Sequence, residues 1–148
     1  MDPVSSLFAL GGLVIVATAL GLVWKARQGV IRRETHDGVV PREFLVQDAW
    51  LTLLQVSSPM CSYCPAMRSV LSAEAESRPG VAHRDIDISE APELIQTLHI
   101  RQTPTTLVVT RDGHVAATIK GAAPRSVVAE AIDTAAAERK AQSDEYRI

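Results

Sequence analysis

The sequence predicts an α/β domain preceded by one N-terminal transmembrane helix. The domain is a mixed sheet in the order β-α-β-α-β-β-α, with helices on both faces. Three observations predict it. Short β-branched or apolar runs alternate with segments of helical periodicity from residue 51 onward. Asp112-Gly113 sits between two such runs and reads as a hairpin turn. Residues 4–24 form a 21-residue stretch without a charge.

That N-terminal stretch spans about 31 Å as a helix, close to the hydrocarbon thickness of a bilayer. Trp24 at its end suits the interface. A cleaved signal peptide fits less well, because only Met1, Asp2 and Pro3 precede the apolar run and none is positive. Lys25, Arg27, Arg32 and Arg33 all follow it, so residues 1–33 carry a net +3 against −5 for residues 34–148. The positive-inside rule then places the N-terminus outside and the domain in the cytoplasm, as a single-pass protein of the plasma membrane. The expected organisation is an anchor over 1–26, a polar linker over 27–47, the folded domain over 48–138 and a flexible tail over 139–148. A short strand or helix is expected near Phe44-Leu45-Val46.

Within the domain, residues 51–56 (Leu-Thr-Leu-Leu-Gln-Val) read as a strand buried on both faces, and Ser57-Ser58-Pro59 breaks it. From Ser62 to about Ser77, Met67, Val70 and Leu71 recur at helical spacing until Pro79-Gly80. Val81 to Ile88 reads as a strand. Ser89 is the expected cap of a second helix, with Pro92 in its first turn and Leu94, Ile95 and Leu98 on one face. Residues 105–110 and 115–119 are the hairpin strands, closed by Gly121. A last helix runs from about Pro124 to Lys140. Strands separated by helices imply a parallel pair, and the hairpin adds an antiparallel strand.

The net charge of −2 gives no nucleic-acid surface. The only two cysteines are Cys61 and Cys64. One close pair supports catalysis or metal binding rather than a disulfide scaffold. The pair follows a strand and opens a helix. There, free backbone N–H groups and the helix dipole favour a thiolate at Cys61. Cys64, one turn inside, is expected to be more buried. Cys61 is thus the candidate nucleophile and Cys64 the resolving thiol. Pro65 is tolerated in the first turn.

Cys61-Ser62-Tyr63-Cys64 after a strand, with Thr103-Pro104-Thr105-Thr106 before a hairpin, resembles the thioredoxin family over roughly residues 48–137. The resemblance implies a thioredoxin-like fold and a thiol-disulfide oxidoreductase acting on protein thiols and disulfides, fed by an upstream reductase or other electron donor. It implies no cofactor beyond a redox-active Cys61–Cys64 disulfide, and no metal. It also implies that Pro104 is cis and that Thr103 and Pro104 contact substrate. Three positions depart from the family. Met60 stands where Trp is usual, Ser62-Tyr63 replaces Gly-Pro, and Gln55 replaces a buried Asp six residues before the first cysteine. An amide cannot take the resolving thiol's proton. His83 on the next strand is the candidate replacement. Arg68 is the nearest basic group for a glutathione carboxylate, and protein disulfides are the preferred substrates.

Two alternatives remain at this level: a non-catalytic interaction module of the same fold, and a copper(I) carrier using Met60 or Met67 with the thiols. His36, His83, His99 and His114 show no ligand spacing. Membrane lipid, through residues 4–24, is the remaining expected partner.

Overall fold

A computed structural model describes residues 3–27, 31–32 and 39–145, with side chains described for 10–23 and 39–144. The elements are α1 (Pro3–Arg27), β1 (Ile31–Arg32), a 3-10 turn (Arg42–Phe44), β2 (Leu51–Ser57), α2 (Cys64–Ser77), β3 (Val81–Asp87), α3 (Pro92–Thr97), β4 (Thr105–Thr110), β5 (Val115–Lys120) and α4 (Arg125–Glu145). From β2 onward this is the expected β-α-β-α-β-β-α order.

The sheet order is β1-β5-β4-β2-β3. Among the described strands only β2 and β3 are parallel, as a βαβ crossover through α2 requires. β4 runs antiparallel to both β2 and β5. Alternation along β2 divides the core. Leu51 and Leu53 pack with Met67 and Leu71 of α2 and with Val128, Ala131 and Ile132 of α4. Leu54 and Val56 face the other way, onto Leu94 and Leu98 near α3 and onto Val40 and Leu45 of the preceding segment. Both faces of the sheet are therefore covered, and every residue of β2 is buried.

Several expectations need correction. The domain begins before residue 48. Val40 N–H donates to Gly113 O at 2.9 Å, and Val40 and Leu45 are core residues, so much of the expected linker belongs to the fold. The turn at Arg42–Phe44 answers the short element expected there, and β1 lies within the linker as a sheet edge. Residues 28–30 and 33–38 of that linker lie outside the described residues. Ser89 does not cap α3. Asp87 Oδ1 holds Ser89 in a turn, at 2.9 Å from its N–H and 2.6 Å from its Oγ, and Ala91 is the capping position. The expected tail is helical through Glu145, because its Ala, Glu, Arg, Lys and Gln residues are helix formers with no Gly or Pro among them. Residues 146–148 lie outside the described residues.

The apolar N-terminal run forms α1, and its described side chains are all exposed. Among the described residues no helix is long and apolar enough to cross a membrane. The side chains of 4–9 and 24 lie outside the described residues.

Candidate functional site

β2 ends at Ser57, and Ser58 to Tyr63 form a tight loop into α2. Cys61 N–H donates to Ser58 O at 3.1 Å, and Cys64 N–H donates to Cys61 O at 3.3 Å. The helix starts at Cys64 with Tyr63 as its cap and Pro65 in the first turn, so Cys61 precedes α2 by three residues instead of opening it. Pro65 lacks an N–H, and at that position no helical bond needs one. The two cysteines form a disulfide with S–S 2.04 Å and Cα–Cα 5.5 Å. Cys61 is half-buried, whereas Cys64 is 3% exposed.

The Thr103–Pro104 peptide bond is cis. Thr103 Oγ1 lies 3.3 Å from Ser58 Oγ, which ties the proline loop to the loop that carries the dithiol. Thr103 is half-buried and Pro104 buried. Around the disulfide, Met60 is 94% and Tyr63 66% exposed, and Ser62 is also exposed. Met67 points into the core. Of the two disulfide cysteines only Cys61 is accessible, with exposed Met60 and Tyr63 and the cis-proline loop near it.

Gln55, fully buried on β2, lies beneath Cys64. Its Nε2 donates to Cys64 O at 3.0 Å and to Ser57 Oγ at 3.1 Å. Ser57 Oγ in turn donates to Asp85 Oδ1, and Arg68 Nε donates to Asp85 Oδ2 at 2.6 Å. The parallel register sets Gln55 opposite Asp85, which is how residues so far apart in sequence meet. Arg68 is therefore committed to Asp85 and does not stand free for a glutathione carboxylate.

His83 is not brought to the dithiol. It pairs in register with Leu53, and its Nδ1 lies 3.0 Å from Ser72 Oγ. Ser72 is eight positions beyond Cys64, about 12 Å along α2. Burial pushes the His83 imidazole down from its ordinary value; Asp85 opposes this and Arg68 reinforces it. Ser57 and Asp85 were missed from sequence. The signal that could have found them is the alternation of β3, which puts Asp85 on the same face as His83, turned toward α2.

His36 lies outside the described residues, and His99 and His114 are exposed on separate loops. Among the described residues no group of three or more His, Cys, Asp or Glu side chains is placed to hold a metal ion.

No curated protein matches the chain. The family model described as Thioredoxin matches residues 40–134, well over half of the sequence, and the match takes in the core residues Val40 and Leu45. With the sheet order, the disulfide and the proline loop in agreement with that match, the chain belongs to the thioredoxin family.

Proposed function

We propose that this chain is a thiol-disulfide oxidoreductase that exchanges disulfides with protein substrates. The observation that carries the reading is the Cys61–Cys64 disulfide itself. It joins a half-buried cysteine to a buried one beside the Thr103–Pro104 loop. In the reducing direction, the Cys61 thiolate attacks one sulfur of a substrate disulfide. A Cys61–substrate bond forms and a substrate thiolate leaves. Cys64, once deprotonated, attacks Cys61 Sγ. The mixed disulfide breaks, the second substrate thiolate leaves, and the Cys61–Cys64 disulfide closes. A dithiol donor returns two electrons by the same exchange. The reverse sequence oxidises a substrate dithiol. Thr103 and Pro104 are the substrate contacts in this reading, and exposed Met60 and Tyr63 provide an apolar landing surface.

The test is reduction of insulin disulfides by the full chain with a dithiol donor. Activity is expected to vanish in Cys61→Ser, and Cys64→Ser is expected to accumulate a mixed disulfide with its substrate. Full activity in Cys61→Ser would sink the reading.

We also propose that residues 4–24 tether the domain to the cytoplasmic face of the plasma membrane. Support comes from the uncharged run and the four basic residues that follow it. A reporter enzyme active only outside the cytoplasm, fused after Ile148, is expected to be silent; strong activity would reverse the orientation.

A further inference from the structure

Among the described residues, Gln55 Oε1 and Thr106 Oγ1 are buried side-chain atoms with no protein group in hydrogen-bonding distance. Gln55 and Thr106 are register partners in β2 and β4, so their side chains lie side by side on one face of the sheet. Buried polar atoms in folded proteins are almost always paired, so an unpaired acceptor under a redox centre needs a reason.

The orientation of the Gln55 amide is fixed twice over. Cys64 O can only accept, so the group facing it must be the –NH2. Ser57 spends its hydroxyl proton on the Asp85 carboxylate, so its oxygen must also accept from Gln55. Arg68 pins Asp85 at the far end of this chain. The amide therefore cannot turn over without breaking two bonds, and Oε1 is held as a free acceptor on the residue that touches Cys64.

In the disulfide, Cys64 has no proton to offer. In the dithiol, it carries an S–H donor in the same buried place. We propose that Gln55 Oε1 is the acceptor for the Cys64 thiol in the reduced protein. Ser57, Asp85 and Arg68 are positioning residues that hold it there. The inference rests on the oxidoreductase reading and deepens it. Reduction by a dithiol breaks the Cys61–Cys64 bond and closes the donor's own disulfide. It delivers two electrons and two protons to the pair. One of those protons, on Cys64 Sγ, meets Oε1. An unpaired buried acceptor costs free energy. Gln55 therefore weights the equilibrium toward the dithiol.

The experiment is a redox titration of the full chain against dithiothreitol and its disulfide, in wild type and in Gln55→Met. Methionine keeps the shape and removes the acceptor. It also removes the two amide donors, but Cys64 O and Ser57 Oγ are present in both redox states, so their loss largely cancels. The Cys61–Cys64 disulfide of the variant is expected to be about tenfold harder to reduce, a potential ~30 mV more negative. An unchanged or more positive potential overturns the inference and leaves the oxidoreductase reading intact. A disulfide that dithiothreitol never opens overturns both. If Gln55→Met fails to fold, the wild type still decides. The Gln55 side-chain amide signals are expected to shift on reduction. Identical signals in both states, as a water bridging Oε1 to Thr106 would give, refute the proposal.

Discussion

Glu74 of α2 accepts a hydrogen bond from Arg125 at the start of α4, which ties together the two helices that cover one face of the sheet. Glu74 is 3% exposed and also accepts from Arg78 Nε at 3.0 Å, while Arg78 reaches across to Asp133 on α4. The Arg125 guanidinium holds the Glu74 carboxyl below its ordinary value of 4.5, against the opposing effect of burial and with help from Arg78. A carboxyl lowered in the folded state stabilises fully above its unfolded pKa. That stability is lost as pH falls through the lower folded value.

Glu74→Gln should therefore cost about 1–3 kcal/mol at neutral pH, because two arginine donors lose a charged partner. Urea unfolding as a function of pH is the measurement. The wild type should lose stability as pH falls below 4.5, and the variant should show a flatter acid limb. Equal slopes would mean that Glu74 contributes nothing to acid sensitivity.

His83 acts in a different window. Its folded pKa lies below the ordinary 6.5, so between the two values the unfolded chain binds a proton that the folded chain refuses. Stability then rises with pH through that interval and falls on acidification. Urea midpoints taken from about pH 7.5 down to about pH 5.5 should decline in the wild type. They should decline less in His83→Gln, which keeps a polar partner for Ser72.

Gly113 sits at φ +89° in the β4–β5 turn, where a Cβ would stand 2.6 Å from Val40 O. The obstacle is backbone, and Gly113 O also receives the Val40 N–H. Gly113→Ala should destabilise the fold by about 1–3 kcal/mol, read as a lower urea midpoint at unchanged slope. A neutral result would show that the 39–40 segment is not bound to the hairpin in solution.

Met60 and Tyr63 offer apolar surface to water beside Cys61. Replacing both with alanine should raise KM for a protein disulfide by roughly fivefold, ~1 kcal/mol. The rate with a small aliphatic disulfide should not change. A loss shared by both substrates would point to damage at the dithiol instead of lost contact area.

What the sequence revealed, and what it hid, follows from how local each signal is. Leu51 to Val56 reads as a buried strand because nearly every residue is apolar, and the structure buries all of β2. Cys61, Cys64 and the Thr103-Pro104 pair are legible as chemical types at a recognisable spacing. Asp85 was not legible as part of the site. It meets Ser57 across 28 residues through the parallel register of β2 and β3, and Arg68 across 17 through the packing of α2 on β3. Glu74 was hidden for the same reason: a helix glutamate looks solvated until α4 supplies Arg125. The start of α2 moved by two residues, from Ser62 to Cys64, because the turn bonds around Cys61 compete with the first helical turn. The 3.6-residue pattern does not record that competition.

The edge strand β1 sets how far the folded domain can wander. Arg27 ends α1 and Ile31 opens β1, which pairs with Ile119 of β5. Four peptide steps separate them, a reach of at most ~14 Å when fully extended. Whatever surface takes up the exposed apolar side chains of α1 therefore has the sheet edge on a short leash. A domain so held explores its surroundings by swivelling rather than by travelling. Its encounters with large partners would then be governed by which way the Cys61 face turns, and by how often those partners come to it.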